Sequence, residues 1–166
     1  TDGSNVTSTI TGTGNLTLDG NSTVTGTVGN ATTSLGNINA GTAGKTVTFV
    51  NDIFATNLDV EGTGTVNLNG NYTGTALNYK ADGTVNLADS KNIDSKITTS
   101  GLSQGTLNLA GTSNVSGQVG DATNKLKEIN ANGIAGKTVT FEKDVYATNT
   151  NIGAGTVNFN TVLGNT

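Results

Sequence analysis

Five-residue segments of one pattern recur along the chain. Lys45-Thr-Val-Thr-Phe49, Gly64-Thr-Val-Asn-Leu68, Gly83-Thr-Val-Asn-Leu87 and Gly105-Thr-Leu-Asn-Leu109 start 19, 19 and 22 residues apart, and a further pair starts at Lys137 and Gly155, 18 apart. Polar and apolar residues alternate in each, so Val66 and Leu68 face one side of a strand while Thr65 and Asn67 face the other. One such strand cannot bury its apolar side alone. A strand-and-turn unit repeating every ~20 residues can, by stacking on its neighbours. The period therefore predicts an all-β fold, a parallel β-helix (β-solenoid) of about 20 residues per coil. Some eight coils at about 4.8 Å each would make a rod roughly 40 Å long. Its predicted interior column is Val47/Phe49, Val66/Leu68, Val85/Leu87, Leu107/Leu109, Val139/Phe141 and Val157/Phe159. Outward Thr and Asn would form hydrogen-bonded ladders.

A longer repeat lies over the short one. Residues 14–70 recur as 105–161, as in Ala43-Gly-Lys-Thr-Val-Thr-Phe49 against Ala135-Gly-Lys-Thr-Val-Thr-Phe141. The offset is 91 residues, rising to 92 in the middle because the second copy has one more residue near Asn132-Gly133. Residues 71–104 have no second copy. The whole of 1–166 reads as one solenoid segment, and repeats running to both ends without caps suggest a piece of a longer one.

Composition supports this. Only 33% of residues are hydrophobic, and Thr, Asn and Gly fill 80 of 166 positions. A globular core of this length normally uses nearly half apolar residues, so the few present must be buried very regularly. Thr and Val favour strands, Gly and Asn turns. A sandwich or barrel fits less well, because it needs strands every ~8–12 residues and more aromatics.

Several chemistries lack their residues. With no Cys and no His, disulfides, Cys-ligated metals and the commonest general base are missing. All eight basic residues are Lys and the net charge is −4, so no basic stripe for nucleic acid exists. No apolar run approaches the roughly 20 residues that span a bilayer, so membrane insertion by this segment is not expected.

The remaining candidate sites are weak. Asp52 and Asp144 occupy equivalent turn positions after the KTVTF strands. Asp82, Asp89 and Asp94 lie close together but are interleaved with Lys80, Lys91 and Lys96, which reads as a solvated charged face rather than a catalytic pair. Asp19-Gly20 and Asp82-Gly83 are turn signals, not a calcium-binding repeat. Thr-x-Thr pairs such as Thr46/Thr48 and Thr138/Thr140 suit ice binding only if they recur on one face of every coil. Here the second Thr becomes Asn at Asn67, Asn86, Asn108 and Asn158. Six Asn-x-Ser/Thr sequons begin at Asn5, Asn15, Asn21, Asn30, Asn71 and Asn114, as an Asn- and Thr-rich chain produces by chance. The chain reads as non-enzymatic, with no catalytic, cofactor-binding or metal residues.

The stretches INAGTAGKTVTFVNDIFATN (38–57) and INANGIAGKTVTFEKDVYATNTNI (129–152), with GNATTSLGNINA (29–40) and the GTVNL pentads, resemble the passenger repeats of rickettsial surface autotransporters, the outer membrane protein A and B group. The likeness covers roughly residues 12–160. It implies a right-handed β-helix on the outer face of a Gram-negative outer membrane, exported through a barrel that these residues do not include. It also implies adhesion to host cells and their invasion, with the host Ku protein as a partner. No receptor-binding residue carries over. The unduplicated middle, with Tyr72 and Tyr79, is the segment expected to offer a distinct binding surface. An adhesin is the first reading and a structural surface-layer or self-associating module the second. A β-helix carbohydrate-active enzyme or an ice-binding protein ranks below both.

Overall fold

The computed structural model describes residues 3–131, 134–161 and 163–164. Among them there is no helix. Sixteen short strands form two eight-stranded parallel sheets: β1, β3, β5, β7, β9, β11, β13 and β15 in the first, and the even-numbered strands in the second. The chain thus alternates between sheets and stacks coil on coil, and the expected β-solenoid of about eight turns is what the protein adopts.

Registers resolve each coil into three ladders. Ladder 1 is the first sheet: Ser4–Val6 (β1), Ser22–Val24 (β3), Thr46–Phe49 (β5), Thr65–Leu68 (β7), Thr84–Leu87 (β9), Gln104–Leu109 (β11), Leu126–Ala131 (β13) and Ala147–Ile152 (β15). The second sheet carries the other two. Its long strands Ile53–Val60 (β6), Tyr72–Tyr79 (β8) and Lys91–Thr99 (β10) belong to both. Leu16–Thr17 (β2) and Leu35–Ala40 (β4) pair only at the downstream end of that group. Ser113–Val115 (β12), Thr138–Phe141 (β14) and Thr156–Phe159 (β16) pair only at its upstream end. Isolated bridges complete the columns: Ile10–Val28–Ile53 on ladder 2 and Ile97–Val119–Val145–Leu163 on ladder 3.

Each ladder sends one continuous column of apolar side chains inward. Ladder 1 stacks Val24, Phe49, Leu68, Leu87 and Leu109, ladder 2 Ile53, Tyr72, Ile93, Val115 and Phe141, and ladder 3 Ile38, Leu58, Leu77 and Ile97. Nearly all these side chains have no accessible surface. A chain one-third apolar makes a close-packed core because most of its large apolar residues fall on inward strand positions.

This register corrects the single column expected from the pentads. Val47/Phe49, Val66/Leu68, Val85/Leu87 and Leu107/Leu109 do share ladder 1. Val139/Phe141 and Val157/Phe159 instead stack on ladder 2, beneath Ser113 and Val115. The reason is a phase. Equivalent strands of the two copies are thirteen ladder steps apart, four coils of three plus one, so each element of the second copy lands on the next ladder round. Thus β5 on ladder 1 corresponds to β14 on ladder 2, and β4 on ladder 3 to β13 on ladder 1. The extra residue expected near Asn132-Gly133 lies outside the described residues.

Candidate functional site

Tyr72 and Tyr79, the expected binding residues, are both inside. Each has 0% of its surface exposed. The Tyr72 hydroxyl donates to the Ala76 carbonyl at 2.7 Å, and that of Tyr79 to the Thr106 carbonyl at 2.9 Å. Burial pushes both phenols well above their ordinary range. The sequence spaces them inward on β8, and glycines make room for the rings. A Cβ at Gly74 would come within 2.4 Å of the Tyr72 hydroxyl, and one at Gly105 (φ +85°) within 2.5 Å of the Tyr79 ring. The register between β8 and β10 shifts by one residue across Asp94–Lys96, a bulge that takes up the extra residue. The irregular middle is therefore an adaptation of the core to two large side chains, and neither tyrosine can touch a ligand while the coils are closed.

The charged residues do not converge. Among the described residues no group of three or more His, Cys, Asp or Glu is arranged to hold a metal ion. Asp82 accepts from Lys127 Nζ at 2.6 Å and from the Gly105 amide at 3.2 Å. Asp89 accepts from Lys137 Nζ at 2.7 Å and from the Thr112 amide at 2.8 Å. Each lysine therefore reaches over an intervening coil to an aspartate beside β9. Lys137 and then the Thr112 amide hold the Asp89 carboxyl below its usual value, and Asp82 raises the Lys127 ammonium. Asp94 turns to Ser116 and Asp52 takes the Asn71 amide at 2.8 Å. A hollow of about 220 Å³ between Lys96, Ile97, Thr98, Gln118, Gly120 and Asp121 brings only Lys96 and Asp121 near each other.

Four of the six sequon asparagines are brackets. Asn15 Oδ1 accepts the Asn37 amide at 2.9 Å, Asn21 Oδ1 the Thr46 amide at 2.9 Å, and Asn71 Oδ1 the Asn92 amide at 2.9 Å. Asn30 caps its own turn through the Thr32 and Thr33 amides. Such bonds satisfy amides near strand starts and in turns that ladder pairing leaves over.

One outward surface is more regular than sequence reading allowed. On ladder 1 the polar positions of successive strands fall into two straight columns. Thr46, Thr65, Thr84 and Thr106 make one, and Thr48, Asn67, Asn86, Asn108, Asn130 and Asn151 the other. The amides are chained: Asn67 Nδ2 donates to Thr48 Oγ1 at 3.1 Å, Asn86 to Asn67 at 2.8 Å, Asn108 to Asn86 at 2.6 Å, Asn130 to Asn108 at 2.8 Å and Asn151 to Asn130 at 2.7 Å. The change from Thr to Asn in the pentads, read above as a break in a Thr array, is what lets one coil's side chain reach the next. Its signal was present in the identical fourth residues of the GTVNL segments, but only the register shows that Asn130 and Asn151 join them. Comparison of the chain with protein-family models, curated proteins and solved structures returns no match.

Proposed function

We propose that the chain is a segment of a bacterial cell-surface passenger, a stiff rod that presents an adhesive surface to host cells on the outer face of a Gram-negative outer membrane. The observation that carries this reading is the unbroken coil-to-coil linkage: three inward apolar columns and an outward amide chain run through the same coils. A stack of this kind resists bending because each coil's hydrogen bonds and apolar contacts are completed only by its neighbours. It offers extended lateral surface instead of a catalytic cleft, which suits attachment. The passenger assignment itself rests on the resemblance of the 38–57 and 129–152 repeats, and with it comes the host Ku protein as the proposed partner.

The purified chain, scored on cultured mammalian endothelial cells beside a scrambled-coil control, is expected to bind saturably and to be displaced by soluble Ku protein. Absence of binding by a chain that is folded by circular dichroism defeats the adhesive reading. The second reading, a self-associating layer module, is favoured by the amide chain, since stacked Asn ladders also join sheets face to face. Concentration-dependent sedimentation without cell binding would select it.

A further inference from the structure

The adhesive reading names a host protein as partner but leaves open which surfaces of the rod bind and what else they hold. We propose that the outward face of ladder 1 across β5, β7, β9 and β11 holds an extended, uncharged polysaccharide chain lying along the rod; this rests on the adhesive reading and adds a second ligand class to it.

Three observations converge on this strip. The hydroxyls of Thr65, Thr84 and Thr106 have no hydrogen-bond partner among the described residues, and they stand one coil apart on adjacent strands. Beside them Asn67, Asn86 and Asn108 are already tied amide to amide. Each uses one Nδ2–H and its Oδ1 in the chain, which leaves the second amide proton for a ligand. Every coil thus offers a hydroxyl and a fixed N–H, repeated about every 4.8 Å. Because neighbours hold the amides in place, binding freezes few rotamers.

Charge and size then select the ligand. The chain carries a net charge of −4, yet the outward positions of these four strands hold only Thr, Asn and Gln104; Lys45, Glu61, Asp82 and Asp89 stand in the flanking turns, and Glu128 continues the Thr column one rung beyond Thr106. A charged ligand would find no partner on the strip itself. The strip is two columns wide, about 7 Å between them, and four rungs long, so its flat area is on the order of 200 Å². A stable protein interface needs about 800 Å² from each partner, which argues against a folded protein or a second copy docking on this strip alone. A linear sugar chain is itself narrow. It repeats hydroxyl and ring oxygens along its axis at close to one sugar per coil, and it gathers affinity by contacting several rungs at once.

The test is cosedimentation of the full chain with microcrystalline cellulose and with chitin. Two variants carry a lysine outward, Thr84→Lys on the strip and Thr56→Lys at an exposed position of β6 on the other sheet. Circular dichroism and melting verify that both are folded, and Asn86→Asp serves as a second strip variant. Retention of the parent chain on either polysaccharide is expected, weakened about tenfold or more by Thr84→Lys and Asn86→Asp and unchanged by Thr56→Lys; one inserted, unpartnered charge suffices for such a loss. No retention of the parent, or equal loss in Thr56→Lys, overturns the proposal. So does reversible dimerisation that Thr84→Lys abolishes, which would give the strip to a second copy. Cell binding that persists in Thr84→Lys without polysaccharide retention overturns this inference and leaves the adhesive reading standing.

Discussion

Phe49 and Phe141 hold the same place in the two copies of the duplicated segment, and both are fully buried. One lies on ladder 1 between Val24 and Leu68, the other on ladder 2 between Val115 and Phe159. The interior accepts the same sequence on either side because each ladder asks for the same thing, alternate apolar residues at a fixed height. The exterior is where the copies part. Asn108, Asn130 and Asn151 of the second copy extend the amide chain of ladder 1. Their counterparts Thr17, Asn39 and Asp59 stand on ladder 3, where Asn78 donates to Asp59 at 2.6 Å and Thr98 to Asn78 at 2.6 Å. Duplication copies a core faithfully, while the phase between copies decides which surfaces are continued.

The phase can be broken directly, and this gives the largest effect. Deleting 65–83 removes one whole coil and brings Thr84–Leu87 onto the rung left by Thr65–Leu68, so a cooperative melt a few degrees below the parent is expected. Deleting 71–104 removes five ladder steps, moves the second copy onto different ladders and cuts the amide chain after Asn67. A broad, early melt by circular dichroism is expected. Equal melting of the two deletions would refute the phase argument.

Next come the paired core substitutions. Phe49→Ala and Phe141→Ala should each cost about 3–5 kcal/mol in urea unfolding and agree to about 1 kcal/mol. Phe159→Ala should cost clearly less, because Phe159 is only partly buried although its ring stacks on Phe141 at 5.3 Å. A large gap between Phe49 and Phe141 would show that the ladders are not equivalent.

The two tyrosines sharpen the contrast between the middle and the copies. Their folded-state phenols titrate above the unfolded value near 10. Their contribution is therefore fully present below about pH 10 and is lost as pH rises beyond it. Alkaline unfolding should begin there, with Tyr72→Phe and Tyr79→Phe moving the onset upward. Phenolate absorbance appearing well before the loss of circular dichroism would contradict their burial.

Smaller effects test the outside. Asn86→Ala removes two links of the chain and should cost about 1–3 kcal/mol, at roughly 0.5–1.5 kcal/mol per bond. The smallest difference is between Ser22 and Ser113, equivalent and both buried. Ser22 reaches the Gly20 carbonyl at 3.4 Å, whereas the Ser113 hydroxyl has no partner among the described residues. Ser113→Ala should be neutral or stabilising by up to about 1 kcal/mol. A loss larger than that of Ser22→Ala would point to a bond the side chain makes in solution.

Much of this molecule was legible before any coordinates. Period and alternation in the pentads specified a solenoid, its coil length and which residues of each strand turn inward, because side-chain direction in a strand follows directly from sequence parity. The core list is that parity read aloud: Val66, Leu68, Val85 and Leu87 are all buried. Repetition could not say which ladder each strand joins. Coil lengths of 18 to 26 residues are not marked off along the chain, and the one-step phase between copies emerges only when turns and strands are stacked in space. Tyr72 and Tyr79 failed as surface residues for a related reason. Aromatics in an irregular segment look exposed in a polar sequence, but their fate depended on space left by Gly74 in the same strand and by Gly105 in β11 of the other sheet. The sequence by itself determined what is inside and how often it repeats, since both are properties of local alternation. Only the tertiary structure decided which Asn and Thr residues line up outside, since a column is made by residues about 20 positions apart whose neighbourhood the stacking alone creates.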